Sequence, residues 1–273
     1  MARKLFCEIS PFTYRISRGR LILKRKLRDA FSGEKFAKAK SSAELEYCVK
    51  KHSSLIRRVL GNVDQTLQNN KAVNLSLAAP HINGVIIRPG ETFSFWRLVG
   101  STSEKKGYLP GLTIAKGVTG QGTGGGMCQF SNLIHWMILH SPLTITEHHH
   151  HDGFDLFPDY GRQIPFGTGS AVGYNYIDYR FRNDTAYTFQ LITYTDDKYL
   201  HGELRCDSPL PLNYHIRAEG ERFVRREDGV YRLGTIYRDT VDKANGNVIK
   251  TEIIKHNNAK LLYEIDPAKV TEE

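Results

Sequence analysis

Gly122-Thr123-Gly124-Gly125-Gly126-Met127-Cys128-Gln129-Phe130-Ser131-Asn132 is the stretch on which the reading of the fold turns. Glycines lack a Cβ and interrupt regular elements, so the segment 117–126 is predicted to be a loop. Behind it Met127, Phe130, Leu133, Ile134, Met137 and Ile138 keep helical period until Pro142, which predicts one buried helix fed by a glycine-rich loop.

Working outward, Glu34 to Leu60 is rich in helix formers, with Leu45, Val49, Leu55, Ile56, Val59 and Leu60 at roughly helical intervals and Gly61-Asn62 as a stop. Val73-Asn74-Leu75-Ser76-Leu77 alternates like a strand, and Gly84 to Ile87 leads through Arg88-Pro89-Gly90-Glu91 into Thr92 to Trp96 like a hairpin. Leu143 to His151, Ala171 to Arg182 and Thr188 to Thr195 read as strands. The tail from His215 reads as short β runs joined by turns at Glu227-Asp228-Gly229 and Asn245-Gly246-Asn247. The fold class expected from this order is α+β: an N-terminal helical segment, then mainly antiparallel strands around one central helix.

The bulk numbers narrow the function. The chain has 273 residues, 40% hydrophobic and 25% charged, and contains no apolar run of membrane-spanning length. The start, with Pro11 and further Arg in place of an apolar core, reads as lacking a secretory signal, and Cys7, Cys48, Cys128 and Cys206 are too widely spaced for a disulfide scaffold or zinc ribbon. A cytoplasmic protein with reduced thiols is expected, peripheral to the membrane at most. Residues 1–60 hold 16 Lys and Arg against 5 Asp and Glu, whereas the rest holds 22 against 24. Such a basic arm, with Ile16, Leu21, Ile22, Leu23 and Leu27 among its charges, suits an anionic membrane surface or is simply solvated; no nucleic-acid-binding signature accompanies it.

Cys128 falls on the first turn of the predicted helix, where unpaired amides and the macrodipole favour thiolate. Cys128, Ser131, Asn132 and His135 form one polar stripe on an otherwise apolar element. Gly124, Gly125 and Gly126 would let the backbone approach a ligand, and Gln129 is a candidate oxyanion donor. The alternative is that Cys128 is a small core residue and the glycines serve packing. The second unusual run is Glu147-His148-His149-His150-His151-Asp152. On a strand His149 and His151 share a face, so either can act as base to a thiol, or the pair can ligate zinc or copper. Asp178 is placed to orient an imidazole or to pair with Arg180 or Arg182.

Four blocks occur in one order: Pro89-Gly90-Glu91-Thr92-Phe93-Ser94-Phe95; Gly124-Gly125-Gly126-Met127-Cys128-Gln129-Phe130-Ser131; Glu147-His148-His149-His150-His151; and Asp178-Tyr179-Arg180-Phe181-Arg182-Asn183. Together they resemble the VanW domain over about residues 70–205, which leaves a basic segment 1–65 and a β-rich extension 206–273. The resemblance implies an accessory role in glycopeptide resistance or the bacterial envelope, and puts Cys128, Gln129, Ser131, His149, His151 and Asp178 on family motif positions. Gly167-Thr168-Gly169-Ser170-Ala171 stands where many relatives carry Gly-Leu-Asp-Ala. The order Cys on a helix, His on a strand, polar residue on a strand is also that of papain-like and transglutaminase-like enzymes.

Two functions follow as expectations. One is a thiol amidase, peptidase or acyl transferase with Cys128 as nucleophile, His149 or His151 as base, Asp178 as orienter and Gln129 in the oxyanion site. The other is a non-catalytic module for a cell-wall precursor or partner protein, with the glycines, Ser131, Tyr174, Tyr176 and Trp96 forming a groove. No cofactor is expected; zinc or copper on His149 and His151 is the alternative.

Overall fold

The structure is a computed structural model and describes residues 5–58, 64–115, 118–150, 153–159, 161, 164–174 and 176–272. Its helices among these are α1 (Pro11–Phe31), α2 (Gln65–Ile82), α3 (Phe95–Val99) and α4 (Met127–Leu139). The strands are β1 (Lys35–Phe36), β2 (Tyr47–Leu55), β3 (Val85–Ile87), β4 (Glu91–Ser94), β5 (Pro110–Ala115), β6 (Val118–Thr123), β7 (Thr144–Glu147), β8 (Phe154–Asp155), β9 (Arg180–Arg182), β10 (Phe189–Thr195), β11 (Tyr199–Cys206), β12 (Leu212–Arg226), β13 (Gly229–Asp242), β14 (Val248–Leu261) and β15 (Val270–Glu272). The α+β expectation holds, with α4 as the buried central helix. No described helix is long and apolar enough to cross a membrane.

The strands form three sheets and a hairpin, in the orders β1-β4-β9-β7, β2-β11-β10-β3, β15-β12-β13-β14-β8 and β5-β6. α4 lies against β2 and β11. Gly202 of β11 permits this approach, because a Cβ there would stand 2.7 Å from the Met137 methyl and 2.8 Å from a Leu133 methyl. Phe95 meets Phe130 edge-on at 5.5 Å, and Phe93 stacks on Phe181 at 4.6 Å, joining α3, α4, β4 and β9 in one core.

Several local expectations are corrected. Within 34–58 the chain forms β1 and β2, not helices: Tyr47 to Leu55 pairs along β11, and that ladder outweighs the helix formers around it. Val59 and Leu60 lie outside the described residues. Residues 73–77 lie inside α2, capped by Asp64 accepting from the Thr66 amide at 2.8 Å. Their five-residue alternation is overridden by the longer period of buried Leu67, Lys71, Leu75, Ala78 and Ile82. β3 and β4 do not pair with each other across Pro89-Gly90 but enter different sheets, and Phe95-Trp96 opens α3. Part of the glycine-rich segment is β6, because hairpin pairing with β5 satisfies its backbone. The strand before the histidines ends at Glu147, and the one expected over 171–182 is confined to β9. The C-terminal hairpins fall where Gly229 and Asn245-Gly246 predict them, and β14 takes β8 as a parallel neighbour.

Candidate functional site

The site is organised at the N-terminus of α4. The β5–β6 hairpin delivers Gly124, Gly125 and Gly126 there, and Gly125 lies against Gly111 so closely that a Cβ would stand 2.7 Å from the Gly111 Cα. Gly126 caps α4 at φ 107, in the left-handed region. Asn74 of α2 holds the turn: its amide donates to the carbonyls of Leu109 (3.0 Å) and Gly125 (2.9 Å), and its Oδ1 accepts from the Leu109 amide (2.8 Å). The Gly124 amide also donates to the Leu109 carbonyl, at 3.0 Å.

One turn further, the polar stripe of α4 grips a separate length of chain, Gly169 to Val172. Cys128 Sγ donates to the Val172 carbonyl at 3.7 Å. Ser131 Oγ lies 3.3 Å from the Ser170 carbonyl and 3.0 Å from its own helix's Cys128 carbonyl. Asn132 Oδ1 accepts from the Ser170 amide at 2.5 Å. From the other side the His149 carbonyl accepts from the Ala171 amide at 2.7 Å, and His148 Nε2 meets the Gly169 carbonyl at 3.0 Å. Residues 169–172 are therefore clamped between α4 and the histidine run, with Cys128 Sγ, Ser131 Oγ and Asn132 Oδ1 all partnered by backbone. Cys128 is half-buried, and burial pushes its thiol above the ordinary cysteine value. At neutral pH it is a thiol, not a thiolate.

The other sequence-derived candidates are spread around this clamp. Gln129 turns away from it, donating to Ser54 Oγ and the Leu55 carbonyl, both at 2.9 Å. His149 and Cys128 flank the same Ala171-Val172 backbone, but the His149 ring lies against Glu147 Oε1 at 3.1 Å. His151 lies outside the described residues. His148 stacks on His135 at 4.1 Å between centroids, and His150 stands 4.1 Å from His148. His135 is buried, its pKa held well below the usual imidazole value first by burial and then by the neighbouring His148 and His150, so it is neutral. Its Nδ1 faces Tyr179 Oη at 3.1 Å. No group of three or more His, Cys, Asp or Glu able to hold a metal is present among the described residues.

Asp178 is an acceptor at the centre of a buried network. It receives Ser94 Oγ (2.5 Å), the Trp96 amide (3.1 Å), the Tyr179 amide (2.9 Å) and Arg180 Nε (2.7 Å), and not an imidazole. The rest of the Arg180 fork reaches back to α1, bidentate on Asp29 at 2.8 and 2.7 Å. Burial lowers the Arg180 pKa, yet Asp29 and Asp178 raise it more, so the charge is fixed. Glu147 completes the set, receiving both terminal nitrogens of Arg25 at 2.5 and 2.6 Å and the Asp178 amide at 3.0 Å. Burial would raise Glu147, but these bonds carry its pKa below the ordinary carboxylate value. Tyr174 meets Trp96 edge-on at 5.5 Å, and the Tyr176 carbonyl accepts from Arg25 at 3.1 Å.

Lys71 escaped the sequence reading, since a single lysine on a helix normally reads as solvated. It is buried, and a Cβ on Gly126 would stand 2.8 Å from its Cγ. Burial, helped by Arg58 and Arg57, lowers its amine to about 8. The stem of a buried lysine thus passes beside the N-terminus of α4.

Comparison with known proteins agrees with the residue blocks. The family described as VanW like protein matches residues 70–205. The chain is 37% identical over 202 residues to the vancomycin B-type resistance protein VanW of Enterococcus faecalis, covering 74% of this chain and 73% of that protein. It is 32% identical over 117 residues to the uncharacterized protein YoaR of Bacillus subtilis, covering 42% of this chain and 36% of that one. No solved structure matches significantly.

Proposed function

The chain belongs to the VanW family, and from that premise we propose that it serves glycopeptide resistance or envelope metabolism by recognising an anionic, peptide-like cell-wall precursor rather than by thiol catalysis. The observation that carries this reading is the clamp. Cys128, Ser131 and Asn132 spend their polar atoms on the backbone of Gly169 to Val172, and the sulfur is kept protonated by burial. A nucleophile needs the opposite arrangement, a lowered pKa and a base on the sulfur. The ligand class follows from Lys71 beside the first turn of α4: an amine and oriented amides together suit a carboxylate.

Calorimetry against soluble muropeptides and lipid-linked precursors tests the reading. Binding without turnover is expected, unchanged in Cys128→Ala and weakened roughly tenfold, about 1.4 kcal/mol, in Lys71→Gln. Covalent turnover that disappears in Cys128→Ala would establish the second reading, a thiol amidase, peptidase or acyl transferase. That reading has one observation in its favour, the place of Cys128 on the first turn of α4. It requires the clamp to open so that an imidazole can reach the sulfur.

A further inference from the structure

α1 is docked with its faces reversed. Amphipathic helices of globular proteins turn an apolar stripe to the core and charges to water. Here the inward contacts are ionic: Arg25 on Glu147, and Asp29 on Arg180 with Arg97 at 3.7 Å. The apolar residues point out. Phe12 is 70% exposed, Leu23 58% and Phe31 85%, and Ile16 and Leu27 are exposed with them. Successive residues of a helix turn by roughly 100°, so these five fall on one stripe about 100° wide along some 30 Å. Leu5, Phe6 and Ile9, just before α1, are exposed as well.

Charge flanks the stripe on both sides. By the same helical period Arg20, Lys24 and Arg28 line one border and Arg15 and Lys26 the other, all exposed. The only acid of α1, Asp29, is buried against Arg180. An open groove on this face is lined by Arg20, Leu23, Lys24, Leu27, Arg28 and Phe31.

We propose that α1 is an interfacial anchor that lies flat on an anionic lipid bilayer, its stripe entering the acyl boundary and its basic borders meeting headgroup phosphates. A lipid surface satisfies both halves of the face at once. A nucleic acid would meet the charges and leave Phe12, Leu23 and Phe31 in water; a second copy would cover the stripe and set two basic borders against each other. The helix does not need to undock, because its link to the body uses the opposite face. The proposal rests on α1 alone and is independent of the ligand proposed for α4.

The full chain is sedimented with vesicles of phosphatidylcholine alone and of phosphatidylcholine mixed with phosphatidylglycerol. Binding to the anionic vesicles is expected, weakened by salt. It should fall at least about tenfold in Leu23→Gln/Leu27→Gln and in Lys24→Gln/Arg28→Gln, with unchanged melting temperature in both, since none of these side chains holds the helix to the body. Three results would overturn the proposal: no binding to either vesicle; binding sensitive only to the basic pair and competed by duplex DNA; or a concentration-dependent dimer abolished by the Leu23→Gln/Leu27→Gln pair.

Discussion

Arg180→Met is expected to lower the stability of the chain by about 3–5 kcal/mol and its melting temperature by roughly 10 °C. Arg180 is buried between Asp29 and Asp178, and Met fills much of its volume while removing the guanidinium that, alone among the described residues, touches both carboxylates. The loss comes from two buried carboxylates deprived of their nearest counter-charge, Asp29 keeping only the more distant Arg97 at 3.7 Å and Asp178 only neutral donors. It does not come from the intrinsic worth of an ion pair, which can be near zero against a well-packed apolar replacement. The triple variant Asp29→Leu/Asp178→Leu/Arg180→Met should therefore recover part of the loss. Exposed Arg182, paired with exposed Asp184, provides the internal comparison, and Arg182→Met should cost less than about 1 kcal/mol. Urea midpoints of the four proteins measure this. Equal effects of Arg180→Met and Arg182→Met would remove the network from the account of how α1 is held.

Asn74→Ala is the second large effect, expected at about 3 kcal/mol. The side chain serves three backbone groups, the amide and carbonyl of Leu109 and the carbonyl of Gly125, and it is fully buried, so no water replaces it. Asn74→Ala leaves the Leu109 amide and the Gly125 carbonyl without this partner, while the Leu109 carbonyl keeps the Gly124 amide. A buried group left unpaired costs on the order of 1–3 kcal/mol, reduced by local relaxation. Asn74→Asp should be no better than Ala: a carboxylate can accept from the Leu109 amide but faces the two carbonyls with negative charge. Hydrogen exchange locates the damage, since the Leu109 amide loses its acceptor and should exchange fastest among the amides affected. Uniformly faster exchange across β12 to β14 would instead mean that Asn74 supports the whole chain and not the glycine turn.

What was legible in the sequence was what local period decides. α4 and the C-terminal hairpins follow from repeats of a few residues and from Asn-Gly and Asp-Gly turns, and neighbours in sequence supply their partners. β2 and α2 were misread because pairing with β11 and burial along 67–82 come from elsewhere in the chain. The site divides the same way. That Cys128, Ser131, Asn132 and His135 share one stripe was readable from helical spacing. That the stripe closes on Gly169 to Val172, some 40 residues later, was not. Arg25 with Glu147 and Asp29 with Arg180 are separated by 122 and 151 positions, beyond any periodic signal. Those two pairs explain Glu147 and Asp178 without catalysis: one receives α1, and the other positions the arginine that does.

The clamp is tested most directly by the rate of Cys128 alkylation with iodoacetamide as a function of pH, followed by mass spectrometry at that residue in the native protein. A buried thiol donating to the Val172 carbonyl should react more slowly at neutral pH than the same cysteine in the denatured chain, with a midpoint above the ordinary thiol value of about 8.5. Rapid native-state alkylation that is already at its plateau at pH 7 would show a thiolate at Cys128, contradict the clamp and make the catalytic reading the correct one.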